Sequence, residues 1–142
     1  MKKIPQLRKN VFYVGVNDRK KMLFENIWPI ESGVAYNSYL INDEKTALID
    51  TVDANTIMDF IANVKQCLGD KPLDYLIINH MEPDHCGGIQ ILRQFYPQVS
   101  LVGNKKTFEI LKNFYGIDSN LIEVKEGDEI DLGSRVLTFY LS

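Results

Sequence analysis

His80-Met81-Glu82-Pro83-Asp84-His85-Cys86-Gly87-Gly88 holds both histidines of a 142-residue chain, with Glu82 and Asp84 between them. The apolar run Tyr75-Leu76-Ile77-Ile78 leads in, and its length and continuity suit a central strand over 73–79 that is covered on both faces. A helix beginning near Gly88 is expected to lead out, marked by Ile89, Leu92 and Phe95 and closed before Pro97. Gly87 and Gly88 mark backbone that turns tightly or lies close to something else.

The spacing inside the stretch sorts its four donors. His80 ends the strand and Glu82 lies two residues on; in extended geometry alternate side chains share a face. Pro83 bends the chain and disfavours helix at Glu82. Asp84 and His85 come after the bend and address a second place. Two ligand pairs result, His80 with Glu82 and Asp84 with His85, as in the first half of a two-metal site. Imidazole and carboxylate are the usual ligands of zinc, iron and manganese. The carboxyl end of a buried strand is a common place for such a site, and the N-terminus of the following helix favours negative charge beside it.

Spacing alone leaves three readings open: metal binding, a buried hydrogen-bonded network, and paired-carboxylate acid–base chemistry without metal. Two metals need more donors than these four, and no third histidine is present. The remaining protein donors are Asp50, Asp53, Cys86, backbone groups, or another chain. A serine-nucleophile elbow, a phosphate loop and a dinucleotide fingerprint are all absent from the sequence.

Upstream, residues 1–10 read as a loose lead-in. Val11–Val16 and Met22–Ile27 read as a hairpin with Asn17-Asp18 as its turn, followed by a breaker-rich connection over 28–33. Val34–Ile41 and Thr46–Val52 are strands joined by Asn42-Asp43-Glu44-Lys45. Asp50 stands at the end of the second, either lining a site or serving as a turn or cap residue. Ile57, Phe60, Ile61, Val64 and Leu68 recur at helical spacing, with Asp53 or Asn55 as the cap and Gly69 to Pro72 as the stop.

Downstream, Val99–Val102 is a strand and Phe108, Ile110, Leu111 and Phe114 mark a helix closed near Gly116. Strands are expected at Leu121–Val124, Glu129–Leu132 and Arg135–Ser142. Strands, then strand–helix alternation, then strands again indicate a layered α/β (α+β) domain. The chain stops inside an apolar strand, which suggests a truncated or split module or else simply a final edge strand.

Length fits one domain, and the apolar content is too high for disorder. Sixteen lysines and arginines against nineteen acids give a formal charge of −3, which argues against nucleic acid. The short basic runs at 1–3, 19–21 and 105–106 read as solvated surface. No stretch approaches the roughly 18 apolar residues of a membrane span, and no leader is visible, so a cytoplasmic location without membrane association is expected. Cys67 falls in a helix; Cys86 reads as a small buried neighbour of the cluster rather than a reactive thiol.

The stretch from His80 to Gly87 closely resembles the His-x-Glu-x-Asp-His motif of flavodiiron proteins (A-type flavoproteins). The wider metallo-β-lactamase superfamily more often has a histidine where Glu82 stands. Trp28-Pro29-Ile30 through Gly33, Tyr36-Asn37-Ser38-Tyr39-Leu40-Ile41, Lys45 through Thr51 and Ile78-Asn79-His80 resemble the same family, so the likeness covers nearly the whole chain.

The resemblance implies the N-terminal half of a metallo-β-lactamase-like αββα sandwich over residues 1–142, ending before the later metal ligands and without a flavodoxin domain. It implies that His80 and Glu82 ligate one iron and Asp84 and His85 the other. The family site adds one histidine per iron and a bridging aspartate, all from later sequence, and its flavin mononucleotide sits in the flavodoxin-like domain. The family reaction is reduction of dioxygen to water or of nitric oxide to nitrous oxide. The expectation is therefore an N-terminal fragment of a flavodiiron oxidoreductase, inactive alone, with no catalytic residue assigned. It carries half of a di-iron site that zinc can occupy as a substitute. Half a sandwich leaves one side of its core exposed, so a homo-oligomer or a separately encoded remainder is the expected partner. The alternative is a noncatalytic or partner-completed metal-binding module, self-associating or one half of a split enzyme.

Overall fold

The computed structural model describes the backbone of residues 4–18, 23–24, 28–29, 34–36, 38–52, 55–79 and 83–140, and the side chains of all of these except 16–18, 23–24, 28–29, 34–36 and 83–87. In chain order the elements are β1 (Gln6–Arg8), β2 (Val11–Tyr13), β3 (Val16–Asp18), β4 (Leu23–Phe24), β5 (Trp28–Pro29), β6 (Val34–Tyr36), β7 (Tyr39–Asn42) and β8 (Thr46–Ile49). Then come α1 (Ile57–Leu68), β9 (Tyr75–Ile77), α2 (Pro83–Phe95), β10 (Ser100–Gly103), α3 (Lys105–Tyr115), β11 (Leu121–Glu123), β12 (Glu129–Asp131) and β13 (Val136–Thr138).

Seven of the strands form one sheet in the order β1-β2-β7-β8-β9-β10-β11. The first four are joined antiparallel, and β8 to β11 run parallel. The change of direction follows the connections. Short turns join the antiparallel strands, while α1, α2 and α3 carry the chain back between parallel ones.

Register explains the layering. Phe12, Leu40, Leu48, Leu76, Leu101 and Leu121 lie opposite one another in a row across six strands. That row packs with Ile57, Phe60, Ile61, Val64 and Leu68 of α1, Ile89 and Leu92 of α2, and Phe108 and Leu111 of α3. All three helices therefore cover one face. Each side chain of this size buried there contributes about 1.5–3 kcal/mol. Asn63 is the polar exception on α1; its amide donates to the Val14 carbonyl at 3.1 Å.

One residue along each strand, the side chains turn to the other face. Ile41, Ala47, Ile77 and Val102 are buried there with Val124 and Leu132. The β12–β13 hairpin lies on this face and contributes Ile130 and Leu137. Its turn is held to the β7–β8 turn. Asp43 accepts from the Ser134 hydroxyl at 2.8 Å, from the Ser134 amide and from the Glu44 amide, and the Lys45 amide donates to the Leu132 carbonyl at 2.9 Å. Gly133, at φ +118°, passes so close to Glu44 that an added β-carbon would lie 2.7 Å from that side chain. The expected bare side of the core is thus partly roofed by the chain's own C-terminal hairpin.

The layered α/β (α+β) class, the central strand covered on both faces, and the three helices match the sequence reading. Several local expectations do not. Val11–Val16 is broken into β2 and the start of β3, and Val34–Ile41 into β6 and β7, so two bent strands replace two straight ones. Asn17-Asp18 belongs to β3, which pairs with β6, and is not a turn. Among the described residues β2 pairs with β1 and β7, β3 with β6, and β4 with β5 inside the expected connection, so none of them forms the hairpin expected between 11–16 and 22–27. Residues 6–8 of the lead-in add an edge strand. In each case long-range pairing overrode a local signal. The N-cap of α1 is Thr56, without a side-chain cap bond, in place of Asn55; Asp53 lies outside the described residues.

Candidate metal centre

The parallel strands β8, β9 and β10 all end at one edge of the sheet, and the chain leaves each toward a helix. β9 ends at Ile77, and Ile78 and Asn79 carry the backbone to the His80 stretch. Helix α2 then opens at Pro83, five residues before the expected start near Gly88. The apolar pattern begins only at Ile89, because the first turn is spent on polar residues. Proline suits the first helical position, where its missing N–H costs nothing. Asp84 and His85 therefore belong to the first turn of a helix, not to the loop after a bend. A carboxylate there is favoured by the helix dipole.

His80 and Glu82 lie outside the described residues, and so do the side chains of Asp84, His85 and Cys86. What the structure does describe is the frame around them. Gly88 is buried on α2, and an added β-carbon would lie 2.3 Å from the Val52 carbonyl oxygen. That approach brings α2 against the segment following β8. The pair of glycines read as backbone lying close to something else is accounted for at Gly88.

Asp50 closes the frame from the other side. It is buried, with φ +62°, a left-handed geometry that aspartate tolerates better than most residues. Its amide donates to the Ile77 carbonyl at 2.8 Å, and its Oδ1 accepts from the Asn79 amide at 2.7 Å. The turn-or-cap role expected of Asp50 is present: its carboxylate holds the backbone one residue ahead of His80. Ser38, also buried, donates from its hydroxyl to the Asp50 carbonyl at 2.8 Å. Nothing in the spacing around Ser38 marks it as part of this frame.

At the same edge, between the sheet and β13, lies a cavity of about 380 Å³. Ile49, Ile77, Val102, Leu137 and Phe139 make its apolar walls, and Asn79 reaches it from the loop. Elsewhere, Cys67 is half-buried on α1, and burial pushes its thiol up from the ordinary value, so it is a poor nucleophile. Lys105 and Lys106 are exposed on the first turn of α3, as expected of solvated surface. Among the described residues no helix is long and apolar enough to cross a membrane.

A parallel sheet edge, a strand-to-helix crossing that carries His-x-Glu-x-Asp-His, and a second apolar face roofed by strands define a metallo-β-lactamase-like domain. Residues 34–142 match the model of the ODP family beta lactamase, and the chain belongs to that family. Its relatives are flavodiiron proteins. The chain is 33% identical to the flavo-diiron protein FprA2 of Clostridium acetobutylicum over 96% of its own length and 35% of the relative's. It is 37% identical to a nitric oxide reductase of Moorella thermoacetica over 91% of its length and 33% of that protein's. Rubredoxin:oxygen oxidoreductase from Desulfovibrio gigas superposes with a TM-score of 0.88 at 28% identity, over 97% of this chain and 35% of that one. The chain thus spans about a third of the length of the proteins it matches.

Proposed function

We propose that this chain supplies half of the di-iron site of a flavodiiron oxidoreductase, of the kind that reduces dioxygen to water or nitric oxide to nitrous oxide. His80 and Glu82 hold one iron, and Asp84 and His85 the other. The observation that carries this reading is the position of the motif, between the end of β9 and the first turn of α2, at the edge where three parallel strands end.

The donor set fits iron. Two imidazoles and two carboxylates make an oxygen-rich set, and glutamate in place of histidine moves the site away from a zinc hydrolase, although zinc remains an acceptable substitute. When bound, the two irons would supply the redox chemistry for reducing a diatomic gas, with electrons drawn from an outside reductant. This chain's own residues hold the ligand-bearing backbone: Asp50 fixes its entry, and the Gly88 contact fixes the helix that follows. Four protein donors do not complete two irons. The full centre draws on polypeptide outside these 142 residues, whether further along the natural chain, on a second copy, or on a separately encoded remainder. Flavin mononucleotide belongs to that outside part. The 142 residues alone are therefore inactive, and they work in the cytoplasm.

Anaerobic reconstitution with ferrous iron, followed by metal analysis and gas-consumption assays with a supplied reductant, tests the reading. Iron is expected above background in the native sequence, with loss in His80→Ala and no sustained uptake of oxygen or nitric oxide. No metal above background, with His80→Ala indistinguishable, would overturn the metal assignment. Sustained turnover by these residues alone would overturn the inactivity.

A further inference from the structure

In a regular parallel ladder one residue donates its N–H to the neighbouring strand and accepts from the same strand two residues on. Asp50 is at such a position. Its amide donates to the Ile77 carbonyl, so its own carbonyl is the regular acceptor for the Asn79 amide. The left-handed φ of +62° turns that carbonyl away, and Asp50 Oδ1 takes the Asn79 amide in its place at 2.7 Å. A side chain has replaced a main-chain group in the ladder. The displaced carbonyl sits in a buried region, and it accepts from the Ser38 hydroxyl at 2.8 Å. Burying a carbonyl without a hydrogen bond is costly, and the Ser38 hydroxyl supplies one to the displaced group.

We infer that Ser38 is a positioning residue for the metal centre: by holding the displaced Asp50 carbonyl, it keeps the Asp50 carboxylate on the Asn79 amide and so sets the backbone from which His80 departs. The serine reaches the site from the start of β7, on the far side of β8 from β9. Its role presupposes the proposed metal site; groups bonded directly to a metal ligand tune affinity by about 10–100-fold, and Ser38, which acts through Asp50 and Asn79, belongs at the low end of that range.

The test combines two readouts on the full 142-residue chain. Amide hydrogen exchange compares Asn79 with Ile78, whose amide donates independently to the Val102 carbonyl at 2.8 Å. Cobalt(II) titration under anaerobic conditions reports affinity and the ligand-field spectrum. In Ser38→Ala, exchange at Asn79 is expected to quicken relative to Ile78, cobalt affinity to fall by about tenfold, the low end of that range, and the spectrum to shift. Ser38→Cys, which keeps a weak donor, is expected to lie between. The ratio of exchange at the two amides within one sample separates a local effect from a general loss of stability. Unchanged relative exchange, or unchanged cobalt binding in a chain that binds the metal natively, would overturn the role of Ser38 alone. A native chain that binds no cobalt would overturn both that role and the proposed function. Failure of both variants to fold would assign Ser38 to global stability and overturn a positioning role.

Discussion

Gly88 and Val52 meet where helix α2 crosses the segment that follows β8, so closely that a β-carbon on Gly88 would lie 2.3 Å from the Val52 carbonyl oxygen. No real contact is that short, and the opposing atom is backbone. The absence of a side chain at Gly88 is what lets α2 begin beside the edge of the parallel strands. Ile57 also stands 3.3 Å from the same point, so the crossing is closed on two sides.

Gly88→Ala is therefore expected to destabilise the fold by about 1–3 kcal/mol, toward the upper value because the nearest opposing atom is backbone and cannot swing aside. Urea unfolding followed by far-UV circular dichroism measures the loss. Because α2 must shift to make room, metal retention should fall together with stability.

Asp43 is expected to give the fold a pH dependence. Burial pushes its carboxyl up, but the Ser134 hydroxyl and the amides of Glu44, Ser134 and Arg135 outweigh that and hold it below the ordinary value of 3.8. A carboxyl depressed in the folded state stabilises the fold above its unfolded pKa. The contribution is complete above about pH 5, shrinks as the pH falls through 3.8, and is gone below the depressed folded value. Unfolding midpoints measured from pH 6 downward should fall in the native chain, and Asp43→Asn should be less stable at pH 6 with a shallower fall. Identical pH profiles would count against the hydrogen bonds that fasten the C-terminal hairpin to the β7–β8 turn.

Asn104 caps α3, its Oδ1 accepting from the Thr107 amide at 2.8 Å. Asn104→Ala is expected to cost about 1 kcal/mol, and Asn104→Ser or Asn104→Asp to recover most of it. Thermal unfolding of the three variants decides this; an alanine variant as stable as the native chain would show that the cap contributes nothing.

The legible parts of the sequence were those in which a local pattern and its physical cause coincide. Leu76 and Ile77 lie in a short unbroken apolar run bounded by Pro72 and the polar motif, which reads as a strand covered on both faces. The stripe from Ile57 to Leu68 could only be a helix with one buried side. Gly69 and Gly116 end their helices where expected. The His80–His85 stretch was recognisable because its donors lie within six residues. The start of α2 was misjudged because a polar first turn carries no apolar period, and Pro83 reads equally as a bend or as a helix opener. Ser38 was invisible as a functional residue because its partner lies twelve residues away and is a backbone atom.

By itself, then, the sequence determined the layered α/β class, the central strand and the family to which its ligand motif points, since periodicity and the motif are properties of neighbours in the chain. Strand pairing, the cover of the second face by the C-terminal hairpin, and the frame of Ser38, Asp50, Val52 and Gly88 emerge only in the folded chain. The contacts that frame the motif each have a backbone group on at least one side, and a backbone group carries no signature in the identity of the residue that bears it.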